Sequence, residues 1–164
     1  MSDIVQVFAD ELGADGIVDA TRLGERATSY WDPSPTRAKC MLRPASTDEL
    51  SRAMKICHAH GQSVVVQGGL TGVVEGAVAT PDDVIVSLER MQRIERIDEL
   101  DGIAVLQAGA VLQTVQELVA RQGFLFPLDF GARGSATIGG ATATNAGGLN
   151  VLRYGMLRNL ILGL

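Results

Sequence analysis

Two glycine-rich stretches hold the residues best suited to chemistry. The first, Gln67-Gly68-Gly69-Leu70-Thr71-Gly72, closes a short apolar run and is followed by Gly76. The second runs from Pro127-Leu128-Asp129 through Gly131-Ala132-Arg133-Gly134-Ser135-Ala136-Thr137-Ile138-Gly139-Gly140 to Asn145-Ala146-Gly147-Gly148, and on to Arg153-Tyr154-Gly155. Successive N–H groups of a glycine loop can converge on an oxyanion. Charge-assisted bonds of that kind contribute about 1.5–3 kcal/mol each. The first loop suits a pyrophosphate held without lysine, although by itself it also fits a tight strand-to-strand turn. In the second, small side chains let a planar ring lie close to the main chain. Ser135, Thr137 and Asn145 could bond the polar edge of such a ring, and Asn145 tolerates left-handed backbone geometry ahead of Gly147-Gly148.

Other chemistries are excluded by what the sequence lacks. There is no Gly-Lys-Ser/Thr and no G-x-G-x-x-G, which argues against a P-loop and a Rossmann site. Net charge is −5, and Lys39 and Lys55 are the only lysines. With no basic run, nucleic acid is not an expected partner. Cys40 and Cys57 lack metal-type spacing and read as free thiols in a reducing compartment. His58 and His60 are two apart near a helix end, so they read as surface residues, and no metal site is expected. No catalytic base is visible. Arg153 and Arg158 could touch a ligand or pair with surface carboxylates; Tyr154 reads as packing and Trp31 as a core or inter-lobe anchor. Apolar residues at 46% and charged residues at 20% describe a globular protein. No transmembrane run and no basic-then-apolar leader is seen, so a cytoplasmic protein is expected.

The elements that must position these loops follow from periodicity. Ile4, Val5, Phe8 and Leu12 have helical spacing within a polar lead-in. Trp31-Asp32-Pro33-Ser34-Pro35 is a loop, and Cys40–Arg43 is a strand stopped by Pro44. Ser46-Thr47-Asp48-Glu49 forms a capping box, with Ser46 as N-cap and Glu49 reaching back. The helix it opens ends at Gly61. Strands are predicted over 63–67, 84–88, 94–97 and 104–108, the last two as a hairpin across Asp101-Gly102. A second helix spans Val111 to Gln122 and is closed by Gly123. Leu160–Leu164 reads as the opening of a further strand, left unfinished. The whole is α+β: two small successive lobes, the second incomplete.

Taken together, Val64–Gly72 and Pro127-Leu128-Asp129-Phe130-Gly131-x-x-Gly134-Ser135-x-x-Ile138-Gly139-Gly140-x-x-x-x-Asn145-Ala146-Gly147-Gly148, with Arg153-Tyr154-Gly155 beyond, resemble the PCMH-type FAD-binding domain of the vanillyl-alcohol oxidase/p-cresol methylhydroxylase superfamily. The nearest branch is that of the D-2-hydroxyglutarate and D-lactate dehydrogenases and the glycolate oxidase FAD subunit. The resemblance covers about residues 40–164. It implies two α+β lobes with FAD lying between them. Gly68, Gly69, Leu70, Thr71 and Gly72 would wrap the pyrophosphate. Pro127, Asp129, Gly134, Ser135, Ile138 and Gly139 would line the flavin and ribityl region, with Asn145, Gly147 and Gly148 close by. Relatives that tether FAD covalently use a histidine where this chain has Leu70, so non-covalent FAD is expected. Glu75 replaces the usual glycine, placing a carboxylate beside the expected pyrophosphate.

On this reading residues 1–39 are a lead-in, 40–93 the first lobe and 94–164 a truncated second lobe, with the substrate domain absent. The expected function is the FAD-binding portion of an oxidoreductase acting on a D-2-hydroxy acid, with a separate electron acceptor. A homo-oligomer is possible. The alternative is a truncated, non-catalytic module that folds or oligomerises with weak or no FAD binding.

Overall fold

The computed structural model describes residues 3–164, and the chain divides into two compact units, Met1–Met91 and Gln92–Leu164. The first unit is built on a four-stranded sheet in the order β1 (Ile17–Asp19), β2 (Cys40–Leu42), β4 (Val84–Ser87), β3 (Val64–Gln67). β1 is antiparallel to β2, and the other pairings are parallel. The two central strands are buried along their whole length, as a parallel sheet covered on both faces requires.

Strand alternation explains the two cores of this unit. Cys40, Leu42, Val84 and Val86 point to one face, where Phe8 of α1 (Ile4–Leu12) and Ala53 and Cys57 of α3 (Thr47–Ala59) cover them. Met41 and Ile85 point to the other and pack with Val18, Leu23 and Ala38. Leu23 ends the short helix α2 (Ala20–Leu23), whose N-cap Asp19 accepts from Arg22 N. Burial pushes the Cys40 thiol up to about 12, with the neighbouring Cys57 adding to the effect. At the end of β4, Arg26 holds Glu89 with two bonds of 2.9 and 3.1 Å, and Arg43 also pairs with it. That bidentate grip keeps the Glu89 carboxyl below its ordinary range.

The capping box differs in one detail from expectation. Ser46 Oγ accepts from Glu49 N at 3.2 Å, but Glu49 Oε2 reaches past Ser46 to Ala45 N, at 2.8 Å. Both long helices end in the same motif. Gly61 and Gly123 adopt φ of 60° and 81°, and the residues after them donate back, Gln62 N to Cys57 O and Phe124 N to Val119 O. β1 lies outside the predicted strands, because three residues inside a polar lead-in carry no period-2 signal. Trp31 is no core anchor: it is 64% exposed and meets the Tyr30 ring edge-on, at 4.7 Å.

The second unit pairs the hairpin β5 (Ile94–Asp98) and β6 (Ile103–Leu106), turned at Gly102, with α4 (Leu112–Arg121). Leu112, Val115 and Val119 form the buried stripe of α4 and pack with Leu128, Ile138, Ala141 and Leu157. No side chain caps α4. Its first N–H groups instead find carbonyls in the glycine region, Leu112 N to Ala136 O at 2.9 Å and Gln113 N to Arg133 O at 3.0 Å. Part of that region is itself helical: α5 (Ile138–Ala143) is capped by Thr137 Oγ1 on Gly140 N. A short α6 follows (Val151–Tyr154). The predicted strand at Leu160–Leu164 does not form. Leu160 closes a 3-10 turn, and the extended residues after it find no ladder partner among the described residues.

Candidate functional site

The first glycine loop is anchored at its base and open along its length. Gln67, 3% exposed at the end of β3, donates Nε2 to Ala77 O at 2.9 Å, tying the two ends of the loop together. Within that closure, none of residues 68–77 donates a backbone hydrogen bond among the described residues; Val78 N, to Glu75 O, is the next that does. A Cβ placed on Gly72 or Gly76 would meet nothing within 4 Å. Leu70 and Glu75 have φ of 53° and 56°, a left-handed geometry that costs an L-residue about 1–2 kcal/mol. Val73 and Val74 are 66% and 82% exposed. The loop is thus a run of undonated N–H groups in a fixed frame, with a carboxylate at Glu75.

The second region is tighter, and its residues divide between packing and availability. A Cβ on Gly148 would lie 2.2 Å from Asp129 O, and one on Gly139 would lie 2.7 and 2.8 Å from Ala108 Cβ and O. These two glycines are required by the chain's own backbone. Ile138 is 7% exposed in the core, its N–H donating to Ala110 O. Thr137 is spent on its cap, and a Cβ on Gly147 would lie 3.0 Å from Met156 Sδ. Asn145, at φ 49°, accepts from Arg158 N through Oδ1, and its side-chain N–H groups donate to nothing among the described residues.

The remaining predicted residues are available. Gly131 has open space where a Cβ would sit, a Cβ on Gly134 would lie 3.3 Å from Gln113 Oε1, and Ser135 is exposed, its hydroxyl bonded to nothing among the described residues. Asp129 pairs its carboxylate with Arg133 at 2.8 Å. The backbone of Pro127–Asp129 is held at three successive carbonyls. Asn150 Nδ2 donates to Pro127 O at 2.9 Å, Gln116 Nε2 to Leu128 O at 2.6 Å, and Leu149 N to Asp129 O at 2.8 Å. The N–H groups of Asp129, Phe130 and Gly131 donate to nothing among the described residues. Gln116 and Asn150 escaped the sequence reading; only their amide character and their position beside the glycine run could have flagged them. Arg153 and Arg158 form no ion pair among the described residues, where also no group of three metal-ligating side chains gathers.

The donor set therefore fits FAD. One loop offers main-chain N–H groups to an oxyanion, and one small-residue strip offers N–H groups and no bulk to a flat ring.

Residues 38–164 match the family described as "FAD binding domain", and the chain belongs to that family. Its cofactor is FAD. The chain is 40% identical over 161 residues to the mitochondrial D-2-hydroxyglutarate dehydrogenase of Arabidopsis thaliana, covering 98% of this chain and 29% of that one. It is 45% identical over 127 residues to the mitochondrial enzyme of the same name from Bos taurus, covering 77% and 23%. It thus spans less than a third of the length of these relatives. Among solved structures, an alkyldihydroxyacetonephosphate synthase superposes with a TM-score of 0.86 at 18% identity, covering 99% of this chain and 32% of that one. Phl p 4, a grass pollen allergen with glucose dehydrogenase activity, superposes at 0.79 and 16% identity, covering 94% and 34%. Both share the α+β fold. The expectation of a cytoplasmic protein is overturned, because the relatives from Arabidopsis thaliana and Bos taurus are named mitochondrial. No described helix is long and apolar enough to cross a membrane.

Proposed function

We propose that this chain is the FAD-binding portion of an oxidoreductase that oxidises a D-2-hydroxy acid of the D-2-hydroxyglutarate, D-lactate or glycolate type and passes the electrons to a separate acceptor. The observation that carries the FAD assignment is the undonated backbone of residues 68–77, closed at its base by Gln67. The D-2-hydroxyglutarate dehydrogenases among the relatives favour the hydroxy-acid class.

In this reading Gly68, Gly69, Leu70, Thr71 and Gly72 take the pyrophosphate. Pro127, Asp129, Gly134, Ser135, Ile138 and Gly139 form the flavin and ribityl strip, with Asn145, Gly147 and Gly148 completing it. Residues 40–93 and 94–164 are the two lobes, and 1–39 the lead-in. FAD supplies the two-electron acceptor; the chain binds, orients and excludes water. Leu70 offers no nucleophile, so the flavin is released intact by denaturation.

Titration with FAD, followed by quenching of flavin fluorescence, tests the reading. Saturable binding, with all flavin recovered in the supernatant after acid precipitation, supports it. No quenching would leave the module without FAD as the better account.

A further inference from the structure

We propose that Gln116 and Asn150 are positioning residues: by tying down the carbonyls of Leu128 and Pro127, they leave the N–H groups of Asp129, Phe130 and Gly131 to donate to the acceptor edge of the flavin ring. The inference rests on the reading above that the second glycine region takes the flavin.

A peptide segment outside helix and sheet normally satisfies its carbonyls and amides with water or with turns. Here the two sides of the main chain are treated differently. Three carbonyls in succession are each taken by a different donor, one from α4, one from the Asn150 side chain and one from the Leu149 amide, at 2.6, 2.9 and 2.8 Å. Gly148 brings its own backbone against Asp129 so closely that no Cβ fits. The following N–H groups, in half-buried Asp129 and Phe130 and exposed Gly131, donate to nothing among the described residues. Each held carbonyl shares a rigid peptide plane with the N–H of the next residue, so Asn150, Gln116 and Leu149 fix the planes that carry the N–H groups of Leu128, Asp129 and Phe130. Gly131 N–H shares its plane with Phe130 O, which accepts from Arg133 N at 3.1 Å. The donors are then held without reorganisation, the condition under which hydrogen bonds to a ligand are most effective. A flavin ring presents carbonyl oxygens and ring nitrogens along one edge and matches such a row of donors. Pro127 contributes no N–H, and Leu128, whose N–H shares the plane of the carbonyl Asn150 holds, is buried at 5% exposure, so the row open to a ligand begins at Asp129.

The test is amide hydrogen exchange of the protein with and without FAD, resolved over residues 128–132, in the wild type and in Gln116→Leu and Asn150→Leu. In the wild type these amides should exchange fast alone and become protected when FAD or riboflavin binds. In each variant, affinity for FAD and riboflavin should fall about tenfold by the same factor, with affinity for ADP unchanged and the 128–132 protection lost. Gln116→Asn and Asn150→Gln, which keep a donor, should recover part of the loss. Protection of 68–77 but not of 128–132 in the FAD-bound wild type would overturn the inference while leaving the FAD assignment intact. Variants that lower the melting temperature yet keep riboflavin affinity would show a merely structural role and also overturn it. Failure of the wild type to bind any flavin would defeat the functional reading and this inference with it. Should the variants not fold, the wild-type exchange result decides by itself.

Discussion

The two glycine regions have similar composition and opposite construction. In the loop after β3, Gly72 and Gly76 face open space, the backbone from 68 to 77 donates nothing among the described residues, and two L-residues sit at positive φ. In the run from 127 to 148, Gly139 and Gly148 are pressed against backbone, and α5 and the α4 N-terminus are built from the same residues. One region keeps glycine for what could approach it; the other keeps glycine largely for what already touches it. The same residue type thus stands in open space in one place and against packed backbone in the other, and substitution separates the two.

The largest effect should come from the packed region. Gly148→Ala places a methyl where Asp129 O, C and N stand at 2.2, 3.0 and 3.2 Å. Backbone cannot swing aside as a side chain can, so we expect a loss of about 3 kcal/mol in urea unfolding. Gly139→Ala, against Ala108, should behave alike. A cost under about 0.5 kcal/mol, the range of ordinary surface substitutions, would erase the distinction drawn between the two regions.

Alkaline pH should sort the units next. Both cysteines lie in the first unit, and burial raises the Cys40 thiol from 9.0 to about 12. A raised folded value means the unfolded chain ionises first. The stability from the neutral thiol is full below pH 9.0 and is lost as pH climbs toward about 12. The slope is at most about 1.4 kcal/mol per pH unit. Hydrogen exchange at rising pH should show residues 40–57 opening before 112–141, and Cys40→Ala should remove that order. Uniform opening would show that the thiol does not control it.

The open loop should respond in binding and not in folding. Gly72→Ala meets nothing within 4 Å, so its stability should stay within about 0.5 kcal/mol of wild type. Its Kd for FAD should rise about tenfold, equivalent to about 1.4 kcal/mol. An unchanged Kd with unchanged stability would mean that the loop is only a solvated turn.

This division also marks what the sequence could tell. Elements with strong periodicity or explicit stops were legible: the stripe Leu112, Val115, Val119, the hairpin across Asp101-Gly102, and helix ends at Gly61 and Gly123. The cofactor class was legible too, through the resemblance that the two glycine motifs bear to a FAD-binding family. What was not legible depends on partners distant in sequence. α5 carries no helix signal in the sequence because Gly139 and Gly140 lower helix propensity, and packing of Ile138 and Ala141 overrides them. Thr137 looks like a ligand donor until its cap to Gly140 is seen. Gln116 and Asn150 gain meaning only once folding brings them to Leu128 and Pro127.

The smallest effect tests Glu75, where the open loop carries both strain and charge. Its φ of 56° favours glycine, and its carboxylate makes no ion pair among the described residues. Glu75→Gly should relieve the left-handed cost of about 1–2 kcal/mol, offset by the entropy glycine loses on folding, about 0.5–1 kcal/mol. A net gain of about 0.5–1 kcal/mol in unfolding follows. Glu75→Gln keeps the strain and removes only the charge. If the loop holds a pyrophosphate, FAD should bind both variants about twofold more tightly at low salt, and the gain should shrink as added salt screens exposed charges. Equal FAD affinity for the wild type and Glu75→Gln at every ionic strength would place the anion elsewhere, and the contrast between an access loop and a packing region would then lose its chemical half.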